Sequence, residues 1–570
     1  MEKKNWDMIN FETDVLVIGG GGAGAMAAYE ASKHGANVMI VLKGRPQRCG
    51  STITAPGAIA GVGDWHVPGD SPDIHFMDTI KGGSFLGEQG LVRIMAEESA
   101  EAILELERIG ALWERTEDGK TYALRVGGGH SFYRCTYLED RTGREMLRAL
   151  FGELKKRNVR ILSDTIILKL LDNGDRVAGA VGLEMATCEM VLFRAKTVIL
   201  ACGGAGNLYL HTDNPTGITG DGFSLALESG AQLMDMEFVQ FFPLGFCFPP
   251  SLKGALATIP GYTRLRNSEG ERFMEKYDPG QMELSTRDRV SPGILTEIKE
   301  GRGGPNGGVF ADMTYHPPGF IARNLPALYQ LYCKLGIDPE KDYVEVAPTC
   351  HFFMGGAKVD ENWQSTVPGL FVAGETAAGI HGANRLGQNA LADLLVSGKR
   401  AGRGAAQFSG ETGHAPVDPK TARKFVEYAF RMLNNSGGSR PISLRNRLRL
   451  LMWDKAGAYR TETGLEEALK DLDELKADLG RQSITLTSGP HNQELLEGLE
   501  NHFLVATAKC VIEAALKRTE SRGAHFREDY PETDNDSWLE HIVLYEKNGT
   551  LNMKKTPADL REMTTSKETR

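Results

Sequence analysis

Three glycines near the start of the chain, Gly19, Gly21 and Gly24, stand in G-x-G-x-x-G spacing. Backbone bare of Cβ atoms at those intervals can approach a pyrophosphate and offer it N–H groups at a helix N-terminus. Residues 44–65, GRPQRCGSTITAPGAIAGVGDW, form a loop of small residues that suits a backbone laid against a flat ring, with Ser51 and Thr52 as hydroxyl donors. Further glycine-rich approaches follow at GGGHSFYRC, around His130, and at ACGGAG with TGDG. A glycine turn can also be purely structural, and the 44–65 loop can be an ordinary surface loop.

The elements around these residues favour the binding reading. Apolar runs at 15–18 and 38–42 read as buried strands, and the small-residue stretch between them reads as a helix. That is the strand–turn–helix–strand unit in which such glycines hold a dinucleotide. Residues 73–115 have helical periodicity in MAEESAEAILELERIGA, and REMLRALFGELKKR resumes a helix. Short β runs occupy 160–181 and 189–200, the last ending in AKTVILACGGAG. A returning strand with a second glycine turn is typical of flavin-binding chains and rare in nicotinamide ones. Residues 237–346 break the pattern with turns of their own, FCFPPS, RGGPNGG and YHPPG, and read as an insertion. A strand at 370–373 then leads through a Gly-Glu turn into a helix start. Beyond residue 415 the chain is helical and charged, in TARKFVEYAFRML and LEEALKDLDELKADL. From 518 it is polar and irregular, and the last twenty or so residues read as a loosely held tail.

The chain has 570 residues and a net charge of −10, enough for several domains and unfavourable to nucleic-acid or anionic-membrane partners. Its eight cysteines are scattered without a C-x-x-C pair, which argues against a cluster, a metal site or a disulfide framework. No stretch approaches the roughly 20 apolar residues that span a bilayer. The expectation is a soluble cytoplasmic protein that meets a membrane only through another subunit.

With these residues laid out, the chain resembles the flavoprotein subunits of succinate dehydrogenase and fumarate reductase, a family that includes L-aspartate oxidase. The resemblance runs over nearly the whole length, through GGGGAGAMAA, ACGGAG with TGDG, GERFMEKY with STRD, PTCHFFMGG, GLFVAGE, HGANRLGQNALAD and RTESRGAH. It implies an α/β fold: a Rossmann-like FAD-binding domain (1–236 and 347–408), interrupted by an α+β capping domain (237–346). A helical domain (409–530) and a C-terminal irregular segment (531–570) follow. It also implies hydride exchange between flavin N5 and a carbon–carbon bond beside a carboxylate. That chemistry requires cations to hold the carboxylate, a proton donor within reach, and a lid over the flavin.

Residue by residue, Arg287 in STRD falls at the family's proton-transferring arginine, with an ion pair to Asp288 or another carboxylate as its alternative role. His351 and Arg385 match the family's carboxylate-holding pair. The implied cofactor shell is Gly19, Gly21, Ala23, Gly24, Lys43, Ser51, Thr52, Gly57, Asp221, Glu375, Ala390 and Leu391. The resemblance implies a small carboxylate substrate and an iron–sulfur electron-transfer partner.

The departures are informative. Ser51 stands where the respiratory enzymes carry the histidine that bonds covalently to FAD, so non-covalent FAD is expected. Leu42 and Lys43 stand where an acidic ribose ligand is often found, so ribose contacts must come from elsewhere. The family's Q-F-H-P-T-G is QFFPLG here, which puts Phe242 and Leu244 in place of a histidine and a threonine of the substrate site. Counted back without gaps from GERF, Leu256 and Ile259 replace a glutamate and an arginine. Burying a carboxylate against such a wall would cost several kcal/mol, on the order of the unpaired-charge penalty. The expected substrate therefore has one carboxylate end and an apolar end near Phe242, with protons reaching Arg287 through Arg264, Arg266 or water. Two other readings stay open. One is an L-aspartate oxidase-like enzyme, suggested by GGGHS but weakened by Gly127 and Phe242. The other is a flavin electron-transfer subunit without a substrate of its own.

Overall fold

The structure, a computed structural model, describes residues 8–417, 427, 431–433, 435, 437–486 and 488–561. Its first strand, β1 (Ile9–Ile18), ends in the fully buried Val15, Leu16 and Val17. It passes through the glycine turn into α1 (Gly22–Lys33) and returns as β2 (Val38–Val41), parallel to β1 from Val15↔Val38 to Ile18↔Val41. A long strand, β3 (Glu189–Leu200), lies parallel on the other side of β1. The first half of β3 pairs antiparallel with Val177–Glu184, and its end pairs parallel with the short strand Leu370–Val372. Arg160–Leu162 and Thr165–Asp172 close the two edges of this seven-stranded sheet. Strands β1, β2 and β3 thus deliver their C-terminal ends and glycine turns to one rim, where open α/β sheets bind ligands.

The alanines of α1 have a packing reason. Gly398 and Gly402 belong to the helix Asn389–Glu411, and a Cβ on either would lie 2.6 Å from Ala23 O or 2.3 Å from Ala27 O. The two helices cross with backbones nearly touching, so the helix that begins over the cofactor cleft is held rigidly against the one that follows the first glycine turn.

The insertion is a unit with its own core. Four antiparallel strands run in the order Val239–Phe246, Val344–Phe353, Val309–Asp312, Arg264–Arg266, and the helix Arg287–Lys299 packs against them. Phe246, Leu265, Phe273, Ile294, Val309 and Val346 are among its buried residues. The boundary expected at 346 falls inside the strand Val344–Phe353, which carries His351 back to the cofactor domain. A strand buried along most of its length gives no break in composition to mark such a crossing. The boundary expected at 408 likewise lies within the helix Asn389–Glu411.

The helical domain contains Pro441–Lys455, Glu462–Leu479 and Gln493–Lys517, the last two capped by Thr461 and Asn492 side chains. The helix expected in TARKFVEYAFRML lies mostly outside the described residues. The irregular tail is corrected by the structure. Glu540–Lys547 and Thr550–Pro557 form an antiparallel hairpin that continues through Leu233–Met234 to Gly356–Ala357. Its turn is Asn548–Gly549, both with positive φ, a strong short-range hairpin signal that the polar composition obscured. The polar RTESRGAH stretch is buried too: Arg518 binds Glu237 and Glu520, Arg522 binds Glu520, and Arg460 contacts His525. These bonds tie the cap, the helical domain and the C-terminus together.

Candidate active site

A cavity of about 1220 Å³ runs along the sheet rim, from Thr165 and Ile167 at one end to Phe242, Arg287 and His351 beneath the cap. Two of its glycines are sterically obligatory. Gly19 has φ +106°, and a Cβ there would sit 2.2 Å from Ala201 O. A Cβ on Gly24 would sit 2.0 Å from Gly19 O. Thr52 Oγ1 accepts from Gly22 N at 3.0 Å and so joins the 44–65 loop to the start of α1. Ser51 Oγ is buried and finds no partner among the described residues, although it lines the cavity. Gly21, Ala23, Gly57, Ala390 and Leu391 line it as well, and Ala58 N donates to Gln388 Oε1 at 2.5 Å. An elongated cleft between two helix starts, with an unsatisfied hydroxyl in its wall, fits FAD.

Lys43 has a different environment from the one its position suggests. Its Nζ donates to Asp221 Oδ2 at 2.7 Å and Thr219 Oγ1 at 2.7 Å, and pairs with Glu500 at 2.9 Å. Burial works against its charge, but the two carboxylates hold its pKa well above the usual lysine range. Carboxylates do therefore stand at the end of β2, supplied by the residue after a distant glycine turn and by the helical domain. Glu500 had no signal in the sequence.

At the cap end the cations gather around one amide. Gln240 Oε1 accepts from Arg287 Nη1 and, at 3.1 Å, from Arg385 Nη2. Gln240 Nε2 donates to Asn384 Oδ1 at 2.7 Å and Arg385 O at 2.8 Å. Asn384 in turn donates to Asp288 Oδ1 at 2.6 Å, so the expected alternative of an Arg287–Asp288 ion pair is not made. Among the described residues the side-chain hydrogen bonds of Arg287 and Arg385 go to Gln240 and Leu386 O, none to a carboxylate, and Arg385 Nε is buried without a partner. Burial first, then the neighbouring Arg385, holds Arg287 well below the usual arginine range. Burial pushes Arg385 down to about 10 against the opposing pull of Glu375 and Asp213. Two close guanidinium groups in one wall, neither in direct contact with a carboxylate, are a site for an anion.

His351 Nδ1 lies 2.6 Å from Asp213 Oδ2. Burial keeps its pKa below the ordinary histidine value although Asp213 pulls the other way. The Phe242 ring lies 5.2 Å from the His351 ring and 5.2 Å from Arg287 Cζ. Leu256 and Ile259 also line the cavity. Leu244 does not: it is buried in the cap core. The ladder between Val239–Phe246 and Val344–Phe353 slips between Phe242 and Gly245, where Pro243 has no N–H to give, and this irregularity turns Leu244 away. The expected proton carriers are elsewhere as well. Arg264 lies over Tyr315 at 4.0 Å and Arg266 pairs with Asp312 at 2.8 Å, and neither lines the cavity.

Glu375 lines the cavity and accepts from Phe353 N at 3.0 Å through Oε1. Burial raises its pKa from 4.5 to about 7. Between these values the folded chain holds a proton the unfolded chain has released, so stability falls as pH rises through that window. Buried histidines such as His75, His130 and His381 contribute the opposite slope, so the Glu375 contribution is read as a difference: from about pH 5 to about pH 7 the urea midpoint of the flavin-free Glu375→Gln variant should fall less, or rise more, than that of the unaltered chain. An unchanged slope in the variant would assign it to other groups.

The chain is also similar to known proteins. Residues 14–391 match the family described as FAD binding domain, and residues 445–570 match fumarate reductase flavoprotein C-term. The chain is 42% identical over 540 residues to a subunit of the fumarate reductase (CoM/CoB) of Methanothermobacter marburgensis, covering 94% of this chain and 98% of that one. It is 36% identical over 575 residues to a fumarate reductase flavoprotein subunit of Mycobacterium tuberculosis, covering 96% and 97%. Among solved structures it resembles E. coli quinol fumarate reductase FrdA carrying a point mutation, with TM-score 0.91, 33% identity and 97% of each chain covered.

Proposed function

The chain belongs to the fumarate reductase and succinate dehydrogenase flavoprotein family, and on that premise we propose that it acts on the carbon–carbon bond of a carboxylate with an apolar far end. It is an FAD-dependent oxidoreductase. When bound, FAD supplies hydride exchange with a carbon beside the carboxylate.

The chain's own residues divide the remaining work. Arg385 holds the carboxylate by charge, and His351 donates to it from Nε2 in the protonated form that an arriving carboxylate favours, while Nδ1 stays on Asp213. Arg287 moves the proton at the neighbouring carbon. An arginine is a poor acid in water, but one buried beside a second guanidinium gives up its proton more readily. Gln240 fixes both guanidinium groups through one oxygen, so neither can swing onto a protein carboxylate. Phe242, Leu256 and Ile259 receive the apolar end. The observation that carries this reading is the pair of guanidinium groups without a direct ion pair among the described residues, set against an apolar wall.

FAD is held without a covalent bond, since Ser51 cannot form the histidyl link. Electrons pass to an iron–sulfur partner subunit, and any membrane contact is made through that assembly. No helix among the described residues is long and apolar enough to cross a membrane. Arg287, Arg385 and His351 in one cluster weigh against a flavin carrier without substrate chemistry. Phe242 at the site weighs against the aspartate oxidase-like alternative.

Stopped-flow reoxidation of the reduced, FAD-loaded enzyme provides the test. Crotonate or cinnamate should reoxidise the flavin at least about tenfold faster than fumarate, the contrast expected when one end of a dicarboxylate meets an apolar wall. Phe242→His should narrow that gap by improving fumarate. Equal or faster reoxidation by fumarate in the unaltered enzyme would refute the apolar-site reading.

A further inference from the structure

Asp213 is a carboxylate built into the substrate end of the cavity, and no local feature of the sequence marks it. Its side chain is 7% exposed. Oδ2 meets His351 Nδ1 at 2.6 Å, and Oδ1 accepts from Asn214 Nδ2 at 2.9 Å. The same Asn214 Nδ2 donates to His351 O at 2.9 Å. Thr212 bridges to Cys350 and donates to Cys350 O at 2.9 Å, which locks the loop beside the histidine's strand. The carboxylate is therefore held from both oxygens and cannot turn away from His351.

Counting charges gives the consequence. If His351 is protonated, it and Asp213 cancel; if it is neutral, the pair carries one negative charge. In neither state does the pair add net positive charge to the cavity. Of the other charged groups in the lining, Glu375 adds no positive charge, Lys43 and Arg445 are paired with Glu500, and Arg449 donates to Tyr209 O; Arg287 and Arg385 remain, and because they share Gln240 Oε1 they form one cationic pole. Arg125 also lines the cavity, but its guanidinium donates to Glu139 O and Asn324 O and stacks 3.7 Å over Tyr137. The wall of Phe242, Leu256 and Ile259 offers a second carboxylate nothing.

We propose that Asp213 is a specificity-determining residue that restricts the site to monocarboxylates. A ligand with one carboxylate places it at the arginine pole and its apolar end on Phe242. A dicarboxylate must leave its second charge on the apolar wall or bring it toward Asp213. The inference rests on the reading of this cavity as a carboxylate site and adds the number of charges it accepts.

The test uses the oxidised, FAD-loaded enzyme and ligand titrations followed in the flavin spectrum and by calorimetry. Crotonate and cinnamate serve as monocarboxylates, fumarate and succinate as dicarboxylates. The unaltered enzyme should bind the first pair more tightly. Asp213→Asn keeps the shape and removes the charge, and should shift the ratio of Kd values about tenfold toward dicarboxylates. A purely structural role would weaken both classes alike and leave the ratio unmoved, which would overturn the assignment. If Asp213→Asn does not retain FAD, Asp213→Ser takes its place under the same criterion, and tighter dicarboxylate binding by the unaltered enzyme refutes the proposal. If neither class binds to the unaltered enzyme, the carboxylate-site reading itself falls, and the role of Asp213 with it.

Discussion

Arg287→Ala lowers turnover of the FAD-loaded enzyme by about 10³-fold or more, the range for loss of an essential proton donor, while the flavin stays bound. Arg287 opens the helix Arg287–Lys299 at the cavity wall, distant in sequence from the glycine turns that hold the cofactor. Its removal should leave the cleft at the sheet rim intact. Ligand Kd should change less than turnover, because Arg385 remains as a counter-charge. Arg287→Lys should recover little: an ammonium cannot reproduce the planar contact to Gln240 Oε1 and would draw toward water or Asp213. Single-turnover reoxidation separates these effects, since it reads proton and hydride transfer without product release. A loss smaller than about tenfold would remove Arg287 from the chemistry.

Gly24→Val yields a protein with little or no bound flavin. The added Cβ would lie 2.0 Å from Gly19 O, a backbone atom that cannot rotate aside. Gly19 is itself fixed by φ +106° and by Ala201 O, so the whole turn between β1 and α1 must move. Overpacking of this kind costs roughly 1–3 kcal/mol or more, and here the strain falls on the N–H groups that face the cofactor. FAD affinity should drop by at least about 100-fold, read as flavin absorbance per protein after desalting. Far-ultraviolet circular dichroism near that of the unaltered chain would show that the sheet survives. In the unaltered protein, acid precipitation should leave the flavin in the supernatant, because Ser51 cannot form a covalent link. Flavin that sediments with the protein would contradict this, and a fully yellow Gly24→Val would contradict the steric argument.

Sequence and structure agree best where function depends on neighbours along the chain. The strand ending at Ile18, the turn through Gly19, Gly21 and Gly24, and the helix that follows were legible because they depend on local sterics and short-range periodicity. The hairpin turn at Asn548–Gly549 was equally local, and the charged composition around it hid it. Leu244 stood in a motif that suggests substrate contact, yet the slipped ladder beside Pro243 sends it into the cap core. The pattern of types was readable there, but the facing of the side chain was not, because a single strand irregularity reverses it.

By itself the sequence determined the strand–turn–helix–strand unit with its glycines and the apolar side chains at Phe242, Leu256 and Ile259, and its resemblance to a family pointed to Arg287, His351 and Arg385. Only the tertiary structure decided how the charges pair. Asp213 reaches His351 across 138 positions of sequence, and Gln240 gathers Arg385 from 145 positions away. Glu500 joins Lys43 from a separate domain. Such pairings follow from the docking of the cap and the helical domain on the sheet rim. Coulombic attraction acts through space, so nothing in the residues adjoining either partner records it.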